Sequence, residues 1–213
     1  MGLVRARLVL SRLLQGLADV NLLDLHPAGP GGVPVARLHP LVRDASRHHP
    51  DTTTRRGDYE ATTAVLLHTA AYAGITGLPE DPTTWPMWQA LAPHAFHLRR
   101  TLTTSTDPRP ATLACAAAAL AARYLTAQGL YTNAHTELAA ILDTLRCIGF
   151  GDDHPDTLTT RHELANVLTW RGEYATAETE YQAILDARRR TGFGDDHPDT
   201  LATRRALTAL RDR

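Results

Sequence analysis

A chain of 213 residues with 43% hydrophobic content is long enough for one large domain or two small ones and can bury a core. Its 22 basic and 23 acidic residues leave a formal net charge of -1, so no overall field favours nucleic acid or an anionic membrane. Two cysteines, Cys115 and Cys147, are too few for a disulfide framework; both fall in apolar helical surroundings, as small buried hydrophobes do, and a reducing cytoplasm is the expected location.

At the N-terminus, MGLVRARLVLSRLLQGL is interrupted by Arg5, Arg7 and Arg12, which excludes the unbroken apolar run of a signal peptide or membrane span. Residues 3–23 predict a helix with Leu3, Leu10, Leu13, Leu14, Leu17 and Leu22 on its apolar face. Leu23 to His26 reads as a short extended run, PAGPGGVP as a turn-rich loop, and Val35 to His39 as a second extended run. A helix starting at Pro40 follows, carrying Leu41, Val42 and Ala45. Helix, hairpin, helix is how a winged-helix domain ends, so residues 1–50 are read as a winged-helix-like unit.

Within it, R-L-H-P-L-V-R-D (Arg37 to Asp44) resembles the M-H-D-L-V-R-D stretch of NB-ARC regulatory ATPases, a family that includes plant disease-resistance proteins. The resemblance implies a nucleotide-sensing role for His39, against the β-phosphate of ADP on an adjoining nucleotide-binding domain. Pro40 stands where that family usually has Asp. With no lysine the chain has no G-x-x-x-x-G-K-[ST] loop, so an NTPase domain would have to be supplied in cis or in trans. A winged helix also raises the alternative of a DNA-binding transcription regulator. Six Arg against three Asp in residues 1–48 make a weak basic face, and a nucleic-acid partner is not the expectation.

Residues 51–109 read as a helical linker. Thr54 to Ala73 predicts a helix with Ala61, Val65, Leu66, Ala70 and Ala73 inward, GLPEDPTTWP a loop, and Trp85 to Leu102 a helix broken or kinked near Pro93, with Trp85 and Trp88 as packing anchors. His94 and His97 share a helix face, but no third metal ligand is evident, and no metal is expected.

The decapeptide GFGDDHPDTL occurs twice, at Gly149 to Leu158 and at Gly192 to Leu201, an offset of 43 residues. Such a period marks a solenoid or array. Gly129, Tyr131, Ala134, Ile141, Leu142 and Asp143 recur as Gly172, Tyr174, Ala177, Ile184, Leu185 and Asp186. One repeat covers about 110–152, a second about 153–195, and a third begins at His197 with one helix, predicted to fray. Each repeat reads as two helices; in the second, Leu158, Leu164, Ala165 and Leu168 form the first stripe and Ala177, Tyr181, Ile184 and Leu185 the next. The decapeptide is then a joint. Gly149 and Gly151 permit positive φ, Asp153 is placed to cap the next helix, Pro155 suits its first turn, and Asp156 adds negative charge there. Neighbouring Asp152, Asp153 and His154 do not converge as metal ligands or catalytic groups, and no catalytic residues are assigned.

G-x-Y-x-x-A-x-x-x-Y after a helix with Leu-Ala near its middle resembles the tetratricopeptide repeat, and the joint G-x-D-H-P-D-T-L resembles the subtype of kinesin light chains and many bacterial regulators. The resemblance covers residues 110–213, about two and a half repeats. The expected fold is mainly α: a winged-helix-like unit with a short β-hairpin, then a solenoid of helix pairs, as in actinobacterial NB-ARC–tetratricopeptide proteins. The resemblance implies a non-catalytic interaction module without cofactors, the sensor arm of a signal-transduction NTPase, binding a protein or peptide on its first helices. In the second repeat that groove would be Thr159, His162, Asn166, Thr169 and Trp170.

Overall fold

The structure, a computed structural model, describes residues 2–26, 35–72, 77–102 and 107–212, with side chains from Val9 onward. The PAGPGGVP loop, Ala73 and the side chain of Leu3 lie outside the described residues. The chain divides into two compact units, Met1–Tyr59 and Glu60–Arg213.

The first unit begins with α1 (Gly2–Asp19), which turns at Asn21 (φ 56°) into a two-stranded antiparallel sheet. There β1 (Leu23–His26) pairs with β2 (Val35–Leu38) in the register Leu23 to Leu38 and His26 to Val35. Two short helices follow, α2 (Pro40–His48) and α3 (Pro50–Thr54). The Tyr59 hydroxyl donates to Asp51 at 2.6 Å. The expected apolar face of α1 is not covered. Leu10, Leu13, Leu17 and Leu22 are exposed, as are Val9 and Val20, and Leu14 alone of that set turns partly inward. A two-stranded hairpin offers too little surface to bury an 18-residue helix. Leu23 is the one buried apolar residue described in this unit.

The second unit is helical. It takes in α4 (Arg56–Tyr72) from Glu60 onward, a 3-10 turn at Pro82–Thr84, α5 (Trp85–Thr101), α6 (Pro108–Ala127), α7 (Tyr131–Cys147), α8 (Pro155–Trp170), α9 (Tyr174–Arg190) and α10 (Pro198–Arg211). Each helix from α5 onward packs on the next, and α6 and α8 on the helix two further along the chain, forming a solenoid of helix pairs. The alanine run of α6 is its spine. Ala117, Ala118, Ala121 and Ala122 are fully buried, and their small side chains let Trp88, Leu138 and Ile141 pack closely. Trp88 is fully buried and donates its indole N–H to the Gly77 carbonyl at 3.3 Å; Trp85 donates to Pro79 at 3.2 Å. In α4 the inward residues are Ala64 and Ala71, whereas Val65 and Leu66 are exposed. Alanine faces a close neighbour there, so size, not hydrophobicity, decides which stripe turns in. Cys115 is buried, but Cys147 is exposed at the end of α7, where the apolar surroundings run out.

The joints are built alike. Helices α6, α7, α8 and α9 each end two residues before a positive-φ glycine: Gly129, Gly149, Gly172 and Gly192. At each, the glycine N–H and the following N–H reach back to the last turn, as in Phe150 to Leu145 (2.9 Å) and Phe193 to Arg188 (3.0 Å). Gly151 does not adopt positive φ. Asp153 is not the cap either. The N-cap is His154, whose Nδ1 accepts from the Asp156 amide at 3.2 Å, with Pro155 in the first turn. His197 repeats this on Asp199 at 3.2 Å. Asp153 instead pairs with Arg190 at 3.0 Å. The histidine prevails because the proline after it sets the chain direction and its Nδ1 reaches the same amide a carboxylate would.

The last helix is anchored. Leu207 and Leu210 are buried, Arg204 holds Asp195 at 2.6 Å, and Arg211 holds Glu178 at 2.7 Å. The buried Arg188 donates to the Asp199 carbonyl and the Thr203 hydroxyl.

Candidate partner-binding groove

A helix presents residues spaced by three, four and seven along one face. In α8 that rule puts Glu163, Asn166 and Trp170 together, and these three line a cleft of about 290 Å³. The opposite wall is α6, through Arg123, Thr126 and Ala127, with Tyr131 of α7 and Glu80 of the preceding turn closing the ends. Arg123, Thr126 and Ala127 lie 43 residues before Asn166, Thr169 and Trp170. The cleft is thus the same helix position used in successive first helices. Beyond Asn166 and Trp170 a smaller hollow of about 150 Å³ continues to α10, lined also by Thr169, Tyr181, Ala206, Ala209 and Leu210.

The five groove residues read from the sequence divide. Asn166 and Trp170 line both hollows, and Thr169 the smaller one. Thr159 is exposed and lines neither. His162 is turned into the interior between α8, α9 and α10. It lies one turn beyond the buried Leu158, so it shares the inward stripe. Its ring packs on Tyr181 at 5.7 Å and its Nδ1 meets the Thr203 hydroxyl at 3.0 Å. Burial, with Arg188 nearby, lowers its pKa to about 4, so it is neutral at physiological pH.

Asn166 is held from two sides. Its Oδ1 accepts from the Tyr181 hydroxyl at 2.6 Å and its Nδ2 donates to Glu163 at 3.2 Å. That orientation leaves one amide N–H and one carbonyl lone pair for a ligand. Trp170 is 55% exposed and parallel to Tyr131, with ring centroids 6.2 Å apart. Arg123 sits 2.7 Å from Glu80 and 3.8 Å from Glu163. Burial raises the Glu163 carboxyl above the usual range, against the pull of Arg123.

Glu80, Arg123, Thr126, Ala127 and Glu163 line the cleft and were not singled out from sequence. The 43-residue offset signals Arg123 once Asn166 is chosen, and helical spacing signals Glu163. Glu80 comes from a loop outside the repeat and carries no such signal.

In the first unit His39 is also a helix N-cap. Its Nδ1 accepts from the Leu41 amide at 3.3 Å, and His49 does the same for Asp51 at 3.2 Å. A separate cleft of about 710 Å³ lies between α1 and the hairpin, lined by Leu14, Ala18, Leu23, Leu25 and Val35 among others. Among the described residues no three His, Cys, Asp or Glu side chains gather as metal ligands, and no helix is long and apolar enough to cross a membrane.

Residues 156–213, from the first turn of α8 to the end of the chain, match the tetratricopeptide repeat family. No curated protein and no solved structure matches the chain.

Proposed function

We propose that this chain is a non-catalytic protein-interaction module and that a segment of a protein partner lies across α6, α8 and α10. One observation carries the reading: the repeat places Arg123, Asn166 and Ala209 at the same position of three first helices, and the clefts open along that line. A hollow with exposed aromatic surface and a few oriented polar groups is how proteins receive a peptide side chain. The match of residues 156–213 to a repeat family of protein-binding scaffolds supports it. Ala127 is exposed at the end of α6 and lines the cleft, so Ala127→Trp fills it without disturbing the core. Proximity labelling in cells, comparing the full chain with Ala127→Trp, tests the reading. Partners labelled by the wild type fall about tenfold with the variant if the cleft is the site. An unchanged labelled set places binding elsewhere.

The finer reading is that the module is the regulatory arm of a signal-transduction NTPase, with residues 1–50 as the winged-helix-like part. Its support is the stretch Arg37 to Asp44 and the exposed apolar residues of α1. Because Nδ1 of His39 serves Leu41, only Nε2 is left to meet a phosphate. A photo-cross-linker replacing Leu41, 73% exposed on α2, is expected to capture a P-loop ATPase. Capture of other proteins alone removes this reading.

A further inference from the structure

We propose that the cleft between α6 and α8 takes a basic side chain of the partner, arginine before lysine. The inference rests on the groove reading and names the chemistry of its occupant.

Four features of the cleft point the same way. First, two carboxylates face one guanidinium. Arg123 is committed to Glu80, at 2.7 Å, and reaches Glu163 only at 3.8 Å. Glu163 (side chain 21% exposed) is thus left without a close cation, and burial disfavours its charged form, so a cation entering the cleft would gain by restoring that charge. Second, the lining residues Thr126, Ala127 and Trp170 belong to the last turns of α6 and α8, the negative ends of two helix dipoles. Third, neither of those last turns contains a basic residue, whereas α7 and α9 end in Arg146 and in Arg188, Arg189 and Arg190. The two first helices that flank the cleft, α6 and α8, thus have no cation of their own in the last turn. The nearby Arg171 is paired with Glu173 at 2.9 Å. Fourth, Trp170 offers half-exposed aromatic surface, extended by the parallel ring of Tyr131. A planar guanidinium stacks on such a surface and also donates in its plane to a carboxylate; an ammonium does only part of this. An arginine over Trp170 would donate to Glu163 and compensate the charge that Arg123 leaves over. The smaller hollow beside it, floored by Ala206, Ala209 and Leu210, suits an aliphatic neighbour on the same segment.

The test uses the full chain and arrayed octapeptides in which one central position is fixed as Arg, Lys, Glu, Leu or Gly and the others are randomised. The Arg set is expected to retain the chain about tenfold better than the Gly set, with Lys between them and Glu last, and retention to weaken as salt rises. Glu163→Gln is expected to erase the Arg preference. Glu80→Gln, on an exposed turn, weakens it and repeats the test should Glu163→Gln fail to fold. Preference for Glu or Leu, or an Arg preference untouched by both variants, overturns the inference. If Ala127→Trp still abolishes retention in that case, the groove stands and only its chemistry is wrong. Retention on none of the sets removes the groove reading together with this one.

Discussion

At the scale of single residues, one device recurs four times. His39, His49, His154 and His197 each precede a proline and cap a helix through Nδ1. Replacing such a cap by alanine costs about 1 kcal/mol. His154→Ala and His197→Ala should each lower stability by about that much in urea denaturation, and His154→Asn should recover most of it. Asp153→Ala should cost much less, because its pair with Arg190 is solvent-exposed on both sides. The reverse order of costs would return the cap to Asp153. His162 behaves differently. Its pKa is held down to about 4, from an ordinary 6.5, first by burial and then by Arg188, with Asp199 opposing. Below pH 6.5 the unfolded chain takes up a proton there that the folded chain refuses until pH falls to about 4. Its contribution is complete above that window and is lost as pH falls through it, up to about 3 kcal/mol. His162→Gln should flatten the stability profile between those limits. Identical slopes for the two proteins would show that His162 is solvated. The sequence made this residue a groove candidate because it is polar. Its interior place depends on Thr203 and Tyr181, which arrive from two other helices.

At the scale of elements, the repeat was legible because the chain states it twice. An identical joint demands an identical pair of helices, and Ala177, Tyr181, Ile184 and Leu185 are all buried as their spacing predicts. Where repetition stops, legibility falls. In α4 the apolar stripe was read through Val65 and Leu66, and the structure turns Ala64 and Ala71 inward instead. In a helix rich in alanine and threonine, hydrophobic contrast between faces is too small to choose a direction. From sequence the last helix is expected to fray. The sequence does not display that Arg188 is buried and reaches across to the Asp199 carbonyl and Thr203, or that Arg211 reaches Glu178. Hydrogen exchange should therefore find amides of Ala206 to Leu210 protected to within about tenfold of those at Ala177 to Leu185. Exchange there at the rate of an open chain would show that these contacts do not hold α10.

At the scale of the whole molecule, the two units differ in what they bury. Glu60–Arg213 has buried side chains along its described length, from Ala64 through Leu210. Among its described residues, Met1–Tyr59 leaves most of the large apolar ones exposed. The helix-hairpin-helix order of the first unit was legible from turn residues and alternation. That its described apolar residues stay largely exposed was not, because an apolar stripe on one helix says nothing about whether a second surface meets it. The groove was half legible for a related reason. Asn166 and Trp170 lie within a well-repeated segment, whereas Arg123 lies in the alanine-rich repeat whose alignment needs a gap, and Glu80 lies outside the repeats.

Site-specific photo-cross-linking distinguishes binding along α6, α8 and α10 from binding elsewhere. A photoreactive residue at Ala127, on the cleft, is compared in cells with one at Thr179, exposed on α9. One dominant protein adduct is expected from Ala127, competed by the peptide set the chain prefers, and none of that adduct from Thr179. The same adduct from Thr179 at equal or greater yield, or none from Ala127, would contradict it.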